Sequence, residues 1–205
     1  MRVGIGGTCV VGVLLLAGVL PDPAWGGGAA KRHDGFFLRM SPGIGHASTK
    51  LDDGFDELRF SDGIGGGDFA IGGIVAKNLA LHGTLWGWTM GDPDFELNNQ
   101  DGSINGSLTM SAIGMGVTYY VMPINLYFSG SLGFGQLELD VDPYGSGNTD
   151  SGLVFEFVIG KEWWVSRNWA LGVAGALGAH SIDDDLVSEN WNGSNIEVRF
   201  SATFN

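Results

Sequence analysis

Asn125-Leu126-Tyr127-Phe128-Ser129-Gly130-Ser131-Leu132-Gly133-Phe134-Gly135 is the stretch whose reading decides the fold. Leu126, Phe128, Gly130, Leu132 and Phe134 alternate with Tyr127, Ser129, Ser131, Gly133 and Gly135. A period of two is that of a β-strand with two unlike faces. The Asn-led opening recurs as Asn78-Leu79-Ala80-Leu81 and Asn168-Trp169-Ala170-Leu171. Each copy follows a very short break and opens another alternating run. Hairpins joined by tight turns follow from that spacing.

The alternation extends to other strands. Ile196, Val198, Phe200, Ala202 and Phe204 oppose Glu197, Arg199, Ser201 and Thr203. Leu153, Phe155, Phe157 and Ile159 oppose Val154, Glu156, Val158 and Gly160, and Arg39 and Ser41 oppose Leu38, Met40 and Ile44. Eight strands are predicted, near 35–45, 67–76, 79–90, 107–121, 125–138, 152–165, 168–180 and 194–204. Lys77-Asn78, Met122-Pro123-Ile124 and Ser166-Arg167 form the tight turns, with Asn and Pro in the roles turns require. The other connections, about 46–66, 91–106, 139–151 and 181–193, read as long loops. The result is an all-β up-and-down meander of eight antiparallel strands.

The amino terminus reads differently. Met1-Arg2, an apolar run from Val10 to Leu20 and the small-residue site at Ala24-Trp25-Gly26 form a signal peptide over 1–26, with a second possible cut after Ala30. The run is too short to span a bilayer. Residues 27–205 then form one domain. Cys9, the only cysteine, falls inside the signal, so no disulfide or thiol site is expected in the exported chain. The formal net charge of −13 comes with no basic cluster, which argues against nucleic acid as a partner.

Two barrels share such a strand pattern. A soluble ligand-binding barrel turns its apolar face inward, whereas a transmembrane barrel turns it to lipid and lines its lumen with polar residues. Here the polar face is mostly Gly, Ala and Ser rather than the Lys and Glu of a soluble exterior. Its few charges, Arg39, Glu156, Glu197 and Arg199, have mixed sign and form a predicted lumen charge network. Trp86, Trp88, Trp163, Trp164 and Trp169 fall near strand ends, where interfacial aromatic girdles are expected. The transmembrane barrel is therefore preferred.

Signal, eight strands, three short turns and the closing Val198-Arg199-Phe200-Ser201-Ala202-Thr203-Phe204 together resemble the small bacterial outer-membrane β-barrels of the OmpA-like and OmpX-like kind. The resemblance implies a cell outer membrane location; the peptidoglycan-binding domain of full-length OmpA-like proteins is not expected here. It also implies Phe204 as the signal to the barrel assembly machinery, here followed by Asn205. Outer-membrane lipid and lipopolysaccharide would be its surroundings, and the barrel would be a monomer.

Three functions then compete: a structural or surface-interaction role, a narrow pore for ions or small solutes, and a lipid A-modifying enzyme. The predicted loops are acidic, through Asp52, Asp53, Asp56, Asp92, Asp94, Asp140, Asp142, Asp183, Asp184 and Asp185, and divalent cations are one partner such loops invite. Asp140-x-Asp142 fails as a calcium loop because Tyr144 stands where an oxygen donor is needed. No metal site or cofactor is expected. His82 with Thr84, and His180 with Ser181, are the hydrolase candidates. Neither completes a nucleophile, base and acid arrangement, so no catalytic residue is assigned and no enzyme is expected.

Overall fold

The computed structural model describes residues 33–52, 57–98, 100–184 and 189–205. Among these residues are eleven strands: β1 (Phe36–Asp52), β2 (Glu57–Ala76), β3 (Leu79–Gly91), β4 (Asp94–Leu97), β5 (Gln100–Ser103), β6 (Gly106–Val121), β7 (Leu126–Val141), β8 (Gly145–Asn148), β9 (Gly152–Trp164), β10 (Trp169–Asp184) and β11 (Glu189–Phe204). Eight of them pair in the order β1-β11-β10-β9-β7-β6-β3-β2, and β1 also pairs with β2. The sheet is thus a closed antiparallel barrel. Following paired residues once round, Leu38, Ile71, Gly83, Met115, Leu132, Phe155, Ala179 and Ser194 lead back to Ser48, ten residues further along β1. That stagger tilts the strands, as closure requires.

The short turns explain two of the three repeated asparagines. Asn78 and Asn125 take left-handed backbone at φ 61° and 53°, which asparagine tolerates better than most residues. At Leu79, Leu126 and Trp169 the strands then begin with a side chain on the outer wall, followed by Ala80, Tyr127 and Ala170, each buried inside.

Two expectations need correction. The stretches 46–66 and 181–193 are not long loops. β1 and β2 stay paired up to Asp52 and Glu57, and β10 and β11 stay paired up to Asp184 and Glu189. Ladder hydrogen bonds use backbone alone, so Gly, Ser and Asp do not interrupt them where inward side chains hold the strands together. Asp52, Asp94, Asp140, Asp183 and Asp184 accordingly lie on strands, while Asp92 and Asp142 lie in connections. Asp53, Asp56 and Asp185, and the predicted signal over 1–26, fall outside the described residues.

The second correction concerns the girdle. Trp163 and Trp169 stand on the outer wall beside the short turns, with Lys161 over the Trp163 ring and Trp169 edge-on to Phe204. Trp86 and Trp88, by contrast, are buried inside the barrel at 5% and 2% exposure. Trp164 packs near His33, whose ring stacks on Tyr120. Position near a strand end does not decide which wall a tryptophan joins; parity along the strand does.

Those inward tryptophans belong to an inversion that runs round the barrel. In the half near the short turns the outer wall is apolar: Ile113, Met115, Val117, Leu132 and Phe134 are all exposed. Inward positions at the same levels are small or polar, such as Gly114, Gly116, Thr118 and Ser131. Toward the other end the pattern reverses. Trp86, Trp88, Met90, Leu108, Met110 and Leu137 form a packed interior cluster, while the outer wall carries Thr89, Thr109, Ser111, Gln136 and Glu138. One end is built for lipid outside and the other for water outside.

Met115→Arg places a charge in the middle of the lipid-facing belt, and the expected cost is about 2–4 kcal/mol in bilayer folding titrations. An unchanged unfolding midpoint would contradict the assignment of the belt.

Candidate functional site

Inside the apolar belt the lumen is crossed by a layer of charge. Arg199 on β11 donates from Nη1 to Asp68 Oδ1 at 3.0 Å and from Nη2 to Glu156 Oε1 at 2.6 Å. It also donates to both oxygens of Glu197, from Nε at 3.0 Å and from Nη2 at 2.9 Å. Asn195 Nδ2 adds a donor to Glu197 Oε1 at 2.7 Å. The second oxygen of Asp68 accepts from Arg39 Nε at 3.3 Å. Arg39 continues to Thr118 Oγ1 at 3.3 Å and Ser129 Oγ at 3.2 Å. Thr118 spends its own proton on Ser129, at 2.8 Å, so His82 Nε2 is the donor in its 3.0 Å contact with Thr118.

The chain of contacts therefore runs through β9, β11, β2, β1, β6, β7 and β3. The Arg199, Asp68 and Glu197 side chains are fully buried, and Glu156 is 2% exposed. Charges this deep persist only when paired and hydrogen-bonded, and here every guanidinium nitrogen of both arginines has an acceptor. Arg39 also lies 5.0 Å over the Tyr127 ring, an added attraction for a desolvated cation.

Arg39, Glu156, Glu197 and Arg199 all lie inside the barrel, but not as two simple pairs. Glu156 and Glu197 both bind Arg199, and Arg39 joins them only through Asp68. Asp68 was not anticipated. It follows Gly65-Gly66-Gly67, where the side-chain pattern vanishes and parity must be counted from Ala70 instead. Glu162 was also missed: it is buried and accepts from Thr203 and Ser201 at 2.6 and 3.1 Å. Its even position between Gly160 and Trp164 was the available signal.

The two hydrolase candidates are separated. Thr84 is inward, as is His82, and the described hydrogen-bond partner of the His82 ring is Thr118. His180 is not at a loop edge. It is buried inside β10, with Nε2 2.9 Å from Thr49 Oγ1 and its ring 6.1 Å from Trp88. No group of three His, Cys, Asp or Glu side chains suited to a metal ion occurs among the described residues.

At the end remote from the short turns the surface is acidic. Asp92, Asp94, Asp101, Asp140, Asp142, Asp150 and Asp183 are exposed. The local cations Lys50 and Arg59 both contact one carboxylate, Glu57, at 3.3 and 2.7 Å. Its hydrogen bond from Arg59, then that from Lys50, hold the Glu57 carboxyl below the usual glutamate range. The remaining carboxylates dominate the field there.

No protein-family description and no characterised relative matches the sequence. Among solved structures, Neisserial surface protein A matches with a TM-score of 0.55 at 12% identity, over 82% of this chain and 96% of that one. The chain has the fold of the small outer-membrane β-barrels. OprG from Pseudomonas aeruginosa gives a TM-score of 0.48 at 13% identity, over 86% and 100% of the two chains. The outer membrane protease OmpT from Escherichia coli gives 0.42 at 10%, over 83% and 96%.

Arg199→Met removes the cation shared by three buried carboxylates, and the expected loss is about 3–5 kcal/mol of folding stability at neutral pH. Urea titration in lipid vesicles measures it. A stability equal to the parent's would contradict the ion-pair layer.

Proposed function

We propose that the protein is a sealed, non-enzymatic barrel of the bacterial outer membrane that holds an acidic surface clear of the lipid for interaction outside the cell. The observation that carries this is the Arg199 node. One guanidinium binds carboxylates from β2, β9 and β11, with no side chain of the group more than 2% exposed. An eight-stranded barrel is narrow enough for side chains to fill. Above that layer the Trp86, Trp88 and Met110 cluster adds a second, apolar closure. A narrow water-filled pore would have to breach both.

The upper, inverted half supports the interaction role. Its packed core keeps paired strands rigid beyond the belt, so the acidic hairpin ends are carried on a stiff support. Like-signed surface charge of this density repels anionic surfaces and attracts cationic ones. Insertion through the barrel assembly machinery and function as a single barrel complete the proposal. Against enzymatic activity stand the separate engagements of His82 and His180 inside the barrel, away from lipid on its outer wall.

Planar-bilayer recording on the purified full chain tests the seal. The expected result is an unbroken baseline with no discrete openings. Reproducible single-channel steps from the parent protein would favour a pore instead.

A further inference from the structure

Glu162 is the exception among the buried charges of the lumen. Asp68, Glu156 and Glu197 are each paired with a guanidinium, whereas Glu162, 1% exposed, forms no ion pair with the described residues. Its Oε1 accepts from Thr203 and Ser201, and its Oε2 has no hydrogen-bond partner. The balance of charge agrees. Among the described residues, four buried carboxylates, Asp68, Glu156, Glu162 and Glu197, face two buried guanidiniums, Arg39 and Arg199. Arg39 does not serve Glu162, because its nitrogens are taken up by Asp68, Thr118 and Ser129. Nor do the buried histidines. Nδ1 of His33, of His82 and of His180 lacks an acceptor, and a charged imidazolium needs one at both ring nitrogens. A carboxylate this deep without a counter-charge is costly, so the counter-charge has to come from solution.

The surroundings of Glu162 offer oxygen. Across β10 its row continues to Gly172 and then Ser201, and a Cβ on Gly172 would press on the Glu162 and Ser201 side chains. Tyr120 and Tyr127 pair across β6 and β7 with ring centroids 5.6 Å apart. Both hydroxyls are buried and lack a hydrogen-bond partner. Tyr120 lies near Glu162 and Thr203, and Tyr127 near Glu162 and Ser201. Glu162 Oε2 and two phenol oxygens thus keep unused lone pairs in one part of the lumen. His33 covers that part from the short-turn end, stacked on Tyr120 at 3.5 Å and 2.7 Å from Asn125 Oδ1.

We infer that Glu162, with the Tyr120 and Tyr127 hydroxyls, holds a monovalent alkali cation inside the barrel, between the Arg199 layer and the short turns. Glu162 is the one buried carboxylate without a guanidinium, and one carboxylate calls for one positive charge. Hard cations take oxygen ligands of this kind. The site goes beyond the sealed-barrel reading and needs no pore, because it stops on the short-turn side of the ion-pair layer.

Urea titration of the full chain in lipid vesicles tests it, with sodium chloride exchanged for choline chloride at constant ionic strength. An ion that binds only the folded barrel raises the folding equilibrium constant about tenfold for each tenfold of ion above saturation. The parent is expected to show that rise with sodium, and Glu162→Gln to lose it. Tyr127→Phe keeps the ring under Arg39 but removes one oxygen, and is expected to need at least tenfold more sodium for the same gain. Glu57→Gln, among the cations of the acidic end, is expected to respond as the parent does. Equal stability of the parent in sodium and in choline, or a sodium response kept by Glu162→Gln, would overturn the inference. So would an infrared carbonyl band of a protonated carboxyl group, present in the parent in sodium and removed by Glu162→Gln. The seal fails separately: single-channel steps would remove it and leave this site standing, while an unbroken baseline without a sodium response removes only the site.

Discussion

An amide in hydrocarbon has no water to bond to, and that constraint shapes the chain. Lipid cannot satisfy the edge of an open sheet, so the first strand must find the last. β1 does so, pairing from Leu38 with Phe204 to Lys50 with Asn192. Once eight strands close, the interior volume is set, and the side chains have to fill it. The protein fills it in two ways. Inside the belt it uses ion pairs and hydroxyls; beyond the belt it uses tryptophan, methionine and leucine.

The two fillings follow from one rule applied to two solvents. Where lipid covers the outer wall, bulky apolar side chains gain by facing out, and the inward positions are left to groups that can satisfy one another. Where water covers it, the same strands do better with their bulk inside. β6 shows the change within a few residues: Ile113, Met115 and Val117 face out, but Met110 and Leu108 face in. No break in the backbone ladder marks the change, since the pairing of β6 with β7 runs unbroken from Gly106 to Val121. The consequence is a barrel taller than its membrane segment, capped by its own core and ending in acidic hairpins.

Much of the lower half was legible in the sequence. Clean alternation from Leu126 to Phe134 and from Ile196 to Phe204 sets both strand and face, and asparagine at the turns marks where strands restart. Arg39, Glu156, Glu197 and Arg199 stand out because charge on the minority face of an apolar strand has few explanations. The upper half was harder to read. Trp86 and Trp88 suggest an interface by residue type, yet two residues of the same parity as His82 and Thr84 must share their wall. The hairpin ends near Asp52 and Asp184 looked like loops because Gly, Ser and Asp carry no hydrophobic period, although backbone pairing needs none. Asp68 was hidden by three glycines that erase the pattern around it.

The polarity inversion is the feature on which seal, height and acidic display all depend. Spin labels placed one at a time on the outward positions of β6 test it in a Cys9→Ser background, since Cys9 is the only cysteine of the sequence. Labels at Ser107, Thr109, Ser111, Ile113, Met115 and Val117 in lipid vesicles would be read by their exposure to oxygen and to a water-soluble relaxing agent. The expected result is oxygen-dominated relaxation at Ile113, Met115 and Val117, giving way to the aqueous agent by Thr109 and Ser107. Oxygen-dominated relaxation along the whole row, or aqueous relaxation at Met115, would contradict it.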